Sequence, residues 1–208
     1  MRVCAFITDE KIYRDSANRL MESLIPWGLD KTAFLHIIQP FGSWEEHTHF
    51  KAEFSLMIQQ RFPGEKLLLL DADAEIVGNP RGLENIDCDL GAHYITQVSD
   101  TANYKKGERV LASGTLLIGN TPQSMHLSKL WMTYIEKMPE YGCGDQDKLK
   151  LAVQKMREVD RGFRFHQLGS EYLVIFKWQK LKLKERGIKP VIFHHQISHE
   201  YKRQKNEL

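Results

Sequence analysis

Apolar positions along the chain fall into two alternating periods. Val3–Thr8 has the apolar run of a strand, and in Tyr13–Leu24 the spacing of Leu20 and Leu24 predicts an amphipathic helix, closed by Pro26 and Gly28. Ala33–Ile38 predicts a second short strand. Trp44–Phe62 returns to helical spacing through Phe50, Phe54, Met57, Ile58 and Arg61, and ends at Pro63-Gly64. The four leucines of Leu67–Leu70 then predict a strand buried on both faces, as in the middle of a parallel sheet. After Asn79-Pro80 the pattern is less regular, with short apolar pieces at Leu90–Thr96 and Val110–Gly119. Gln123–Lys137 and Asp145–Met156 read as helices, the second with aspartates in its first turn, where the helix dipole favours them. Val191–His195 reads as a last strand before a polar, basic tail. Alternating β and α elements predict an α/β fold, with a mostly parallel central sheet and helices on both faces. No repeat or linker divides the 208 residues, so a single domain is expected.

Composition narrows the function classes. A chain that is 42% hydrophobic and 27% charged is ordinary for a globular domain. Its formal net charge of +2 argues against a general nucleic-acid binder, although residues 177–208 are locally basic. Cys4, Cys88 and Cys143 are scattered and odd in number, which suits reduced thiols in a cytoplasmic setting. The first apolar run is too short for a signal peptide, and no run approaches the roughly 20 apolar residues of a membrane span.

Four segments carry candidate chemistry. Asp71 and Asp73 follow the leucine strand, where it leaves the sheet and where open α/β sheets bind ligands. Two carboxylates in so apolar a setting call for a cationic partner, which a divalent metal sharing its coordination sphere with a phosphate supplies. The plainer reading is a surface turn. Leu111–Asn120 contains Ser113, Gly114 and Thr115, small residues that allow close approach of a ligand, or form a bulge. Tyr141–Leu149 contains Gly-Asp-Gln-Asp, which can present Asp145, Gln146 and Asp147 into a pocket; Asp145 alone is also a reasonable N-cap. Late in the chain, His194, His195 and His199 offer a borderline ligand that favours Mn²⁺ over Mg²⁺. His47 and His49 read as surface residues. The acidic pair alone also fits a haloacid-dehalogenase-like phosphohydrolase with Asp71 as nucleophile, but Glu75 stands where that family has threonine or valine. A non-catalytic nucleotide-binding module is the third alternative.

Leu68–Asp73, Ala112–Thr115, Gly144–Asp147 and Phe193–His195, in this order, resemble the GT-A glycosyltransferases, the nucleotide-diphospho-sugar transferases. The resemblance spans nearly the whole chain and is closest to the glycogenin and galactosyltransferase-like group and to short viral or phage members. It implies a single Rossmann-like domain, with residues 1–80 as the nucleotide-binding half and 81–208 as the donor-sugar and acceptor half. It implies transfer of a sugar from a nucleotide diphosphate, UDP by preference, to a hydroxyl of a carbohydrate or glycoconjugate, in the cytoplasm (the host's, for a viral protein). Asp71 and Asp73, with His194 or His195, would hold Mn²⁺ or Mg²⁺. Thr8, Tyr13, Lys51, Ala72, Ser113, Gly114 and Lys202 would contact the donor, and Asp145, Gln146 and Asp147 would serve catalysis. Amide beside carboxylate leans to retention of anomeric configuration. The chain departs from the family at its end, where His195-Gln-Ile-Ser-His-Glu-Tyr-Lys202 replaces the expected His-x-x-Gly-x-x-Lys.

Overall fold

The computed structural model describes residues 1–97, 104–139, 141 and 144–197. Strand β1 is Arg2–Thr8, and helix α1, Lys11–Leu24, follows it and buries Ala17, Leu20 and Leu24. Helix α1 gives way to a 3₁₀ turn at Ile25–Trp27 that Gly28 closes at φ 65°, a left-handed value that glycine adopts without strain. Strand β2, Phe34–Ile38, pairs parallel with β1. Helix α2, Trp44–Arg61, starts with a capping box in which Ser43 and Glu46 satisfy each other's backbone N–H groups. Strand β3, Leu67–Leu70, is buried at all four positions, as the leucine run predicts.

A three-residue strand β4, Ala74–Ile76, comes next, then β5 at Leu90–Thr96 and β6 at Arg109–Ile118. Helix α3, Pro122–Lys137, is opened by Thr121 with Pro122 in its first turn, and α4 is Gly144–Val159. Strand β7, Phe165–Gln167, helix α5, Lys177–Glu185, and strand β8, Ile192–His194, follow among the described residues. Six strands form a mostly parallel sheet in the order β2-β1-β3-β6-β5-β7, with β6 antiparallel to β5; β4 and β8 form a separate antiparallel pair.

Two compact units share this chain. One holds Met1, Phe41–Leu69 and Ile86–Leu168; the other holds Arg2–Pro40, Leu70–Asn85 and the chain from Gly169 onward. In the first, Phe54, Ile58, Leu127, Trp131, Leu149 and Met156 are almost wholly buried. Between α2 and α3 lies a buried polar ladder: Ser55 and Ser128 hydroxyls are 2.9 Å apart, Gln59 donates to Ser128 at 2.7 Å, and Ser124 donates to Gln59 at 2.8 Å. Paired in this way, the polar groups avoid the cost of burial without a partner. In the second unit the core is Val3, Ile7, Leu20, Ile76, Leu83 and Ile192.

Two elements were not expected from the sequence pattern, β7 and α5, and β4 was absorbed into the acidic turn. His47 and His49 correct the expectation of a solvated pair. The α2 face formed by His47, Lys51, Phe54, Ser55 and Ile58 is buried, and His47 Nε2 accepts the Phe41 N–H at 3.0 Å; His49 is partly covered. Helical spacing makes a buried face here from polar and apolar residues together, and hydrophobicity alone does not see it.

Close backbone approach fixes Gly119: a Cβ there would lie 1.9 Å from the Cys88 carbonyl oxygen. Gly119→Ala should therefore lower the free energy of unfolding by about 2 kcal/mol in urea titration, since backbone must move to admit the methyl.

Candidate active site

The β4–β8 pairing decides what faces the acidic turn. Its register sets Ala74 opposite His194 and Glu75 opposite Phe193. Asp73 is tied to the late chain three times over: its carbonyl accepts the His195 N–H at 3.1 Å, its Oδ2 accepts the Ile197 N–H at 3.3 Å, and its Oδ1 lies 3.2 Å from His194 Nδ1. With the carboxyl ionised, Nδ1–H is the donor of that last contact.

Asp71, Asp73 and His194 form a potential metal-ligand group, each offering an atom within 4.8 Å of the others. His195 lies outside this group and bonds Glu75 Oε2 through Nε2 at 2.7 Å. Ala72 is the half-buried residue between the two aspartates. His199 and Lys202 lie outside the described residues.

Burial is the largest influence on the Asp73 carboxyl and works against its charge. The hydrogen bond and charge of His194, with the Ile197 and Gln196 N–H groups, outweigh burial and hold the carboxyl below its ordinary value. A carboxyl depressed on folding adds stability above its unfolded pKa of about 4, and loses that contribution as pH falls through the acid range. Two carboxylates, one of them kept ionised although partly buried, plus an imidazole make a donor set that fits a divalent first-row cation.

The other candidate residues gather in the first unit. Strand β6 loses register against β5 where the small residues stand: Ala92 faces Leu116, but Tyr94 faces Leu111, so Ala112–Thr115 bulges opposite His93. The bulge reading of this segment is the observed one, and bulges re-aim side chains at sites. Lys51 Nζ, buried on α2, reaches Ser113 Oγ at 3.2 Å and lies 3.3 Å from Asp145 Oδ2. Gly114 is half-buried beside Ser113.

Asp145 is not the N-cap of α4. It sits within the first turn, after Gly144 at φ 72°, and its buried Oδ2 meets Lys51 without the alignment of a hydrogen bond. Trp131 Nε1–H holds the Asp145 carbonyl at 2.8 Å.

Tyr104, which carried no signal in the sequence, lies at the centre of the Gln146–Asp147 pair. Gln146 Nε2 donates to its hydroxyl at 2.8 Å, and that hydroxyl donates to Asp147 Oδ2 at 2.9 Å. The Gln146 amide group is thereby oriented with Nε2 on Tyr104, and its carbonyl oxygen is the end not tied to that phenol. Thr8 and Tyr13 flank the end of β1: Thr8 Oγ1 bonds Glu10 at 3.0 Å, and Tyr13 is half-buried at the start of α1.

Cys4 and Cys88 are buried, and burial pushes the Cys88 thiol up to about 11. Among the described residues no helix is long and apolar enough to cross a membrane.

No family model and no curated protein matches the chain. Solved structures do match it. A glycosyltransferase involved in glycosylation of the major capsid of PBCV-1 has a TM-score of 0.63 at 11% identity, over 94% of this chain and 95% of that one. The galactosyltransferase LgtC, with donor and acceptor sugar analogues, has a TM-score of 0.61 at 13% identity, over 94% and 87%. Mouse xyloside xylosyltransferase 1 has a TM-score of 0.57 at 13% identity, over 95% and 98%. The chain has the GT-A glycosyltransferase fold.

Removing Lys51 leaves the buried Asp145 carboxylate without its cation. Lys51→Met should destabilise the protein by about 3 kcal/mol, and Lys51→Met with Asp145→Leu should recover most of that loss in a double-mutant cycle followed by chemical denaturation.

Proposed function

We propose that this chain is a metal-dependent glycosyltransferase that moves a sugar from a nucleoside diphosphate, UDP by preference, to a hydroxyl of a carbohydrate or glycoconjugate acceptor. The observation that carries the reading is the Asp71–Asp73–His194 group on a GT-A fold. We read the chain as one domain whose residues 1–80 bind nucleotide and whose residues 81–208 receive sugar and acceptor. The fold also removes the scaffold on which a haloacid-dehalogenase-like reading would rest.

Asp71, Asp73 and His194 would hold Mn²⁺ or Mg²⁺, which when bound supplies Lewis-acid neutralisation of charge on a diphosphate leaving group. His194 Nδ1, with the Ile197 and Gln196 N–H groups, holds the Asp73 carboxyl ionised and oriented. Thr8, Tyr13 and Ala72 serve the donor from the β1 end and the acidic turn, and Lys202 adds a cation from the tail. Ser113 and Gly114 lie in the donor-facing bulge, while Lys51 of α2 neutralises Asp145 and fixes the Ser113 side chain.

Asp145 meets Lys51 at 3.3 Å, and its role is to position. Asp147, held by Tyr104, positions the donor sugar. Gln146 presents its carbonyl oxygen to the anomeric carbon, where positive charge develops as the glycosidic bond breaks. An amide oxygen stabilises that charge without competing for the acceptor's proton, which passes to the leaving phosphate; the configuration is retained. LgtC supports this assignment by analogy, since a glutamine-to-glutamate variant of it is an active-site mutant.

Calorimetry with Mn²⁺ should give saturable UDP binding to the parent protein and none to Asp73→Asn, which should remain folded and lose transfer. No heat with UDP or GDP in the parent would overturn the reading. Tyr104→Phe should lower kcat about 10²-fold and raise donor KM several-fold, because the phenol orients both Gln146 and Asp147. Proton NMR of the first-formed product should show the donor's anomeric configuration; the opposite configuration would make an aspartate of this turn the general base.

A further inference from the structure

A cavity of about 270 Å³ opens between α2 and α3, close to the lower limit of about 300 Å³ for small-molecule sites. Helical spacing brings Glu46, His49, Phe50 and Glu53 of α2 to one side, and Glu136 of α3 stands on the other, over a base that includes Met132 and Ile135. Phe41 enters from the segment before α2. Its ring and that of Phe50 have centroids 6.4 Å apart at 80°, so they form two walls meeting nearly at right angles.

The charge on this cavity has one sign. Three carboxylates line it and no lysine or arginine does. Hydrogen bonding from the Ser43 backbone N–H holds Glu46 below the ordinary glutamate value, and no cation among the described residues is paired with Glu53 or Glu136. His49 adds no opposing positive charge: burial first, then the charge of Lys148, pushes its imidazole below the usual histidine value. The buried His49 Nε2 has no hydrogen-bond partner.

Aromatic faces and uncompensated carboxylates around an apolar base are complementary to one chemistry. We propose that this cavity binds an organic ammonium group, a primary or quaternary amine carried on an apolar or sugar stem. The ammonium would lie against the Phe41 and Phe50 faces, within about 6 Å of their centroids, as cation–π attraction requires. Glu53 and Glu136 would neutralise it, and Met132 and Ile135 would take the stem. The inference does not rest on the glycosyltransferase reading, and its test uses no transfer assay.

Two-dimensional NMR titration of the full chain with butylammonium and with 1-butanol decides it. Butylammonium should give saturable shifts centred on Phe41, His49, Phe50 and Glu136 that weaken as salt rises, while the isosteric alcohol gives none. Methyl glucosaminide against methyl glucoside asks whether the stem can be a sugar ring; binding of either ammonium supports the site. Glu53→Gln with Glu136→Gln should weaken butylammonium binding about tenfold, and Phe41→Leu several-fold, as expected for a cation–π and charge-paired site. All three positions are exposed, so the variants should fold as the parent does. Equal shifts with amine and alcohol, no shift with either amine, or unchanged affinity in the double variant would overturn the proposal.

Discussion

Strand β3 has no face that tolerates water. Leu67, Leu68, Leu69 and Leu70 are each at most 1% exposed, so the chain must cover both sides of this strand before anything else about the fold is settled. Hydrophobic burial of that order contributes roughly 2 kcal/mol for each leucine, and it is available only in a layered α/β arrangement. The same constraint fixes where chemistry can begin. The first ionisable groups after so dry a segment, Asp71 and Asp73, fall where the strand ends and the chain turns, and Asp73 is held there by His194 of β8 and by N–H groups of the residues just after it.

Charged groups elsewhere follow the same logic. Lys51 is buried because Asp145 and Ser113 meet it, and Asp89, 1% exposed, accepts from Thr121 Oγ1 at 2.7 Å and from the Arg164 backbone N–H at 2.6 Å. Each pairing joins segments far apart in sequence. A buried ion pair adds little net stability over an apolar pair of equal size, but breaking one is costly, so these contacts specify which segments meet.

The large outlines of the fold were legible because β1, β3, α3 and α4 each carry a strong apolar period, and Asp71, Asp73 and the Gly144–Asp147 turn carry a recognisable spacing. What stayed hidden has physical reasons. Strands β4 and β7 are three residues each, too short for a period to show. Helix α5 mixes Trp178, Leu181 and Leu183 with four lysines, so its covered side is faint. His47 lies on a buried face that also contains Lys51 and Ser55, which reads as polar. Tyr104 acts through two hydrogen bonds from a non-periodic segment, and no spacing rule predicts such a contact. The choice among the late histidines needed the β4–β8 register, which puts His194 opposite Ala74 and turns His195 towards Glu75.

The contact between Asp73 and His194 spans 121 positions of sequence. A chain emerging from the ribosome therefore carries both aspartates without His194 until the 121 positions that follow Asp73 have been made. Domains fold as units, and contacts this distant in sequence form late. The acidic turn can acquire its third group only once β8 is available, so formation of the Asp71–Asp73–His194 group reports that the polypeptide has been made through β8.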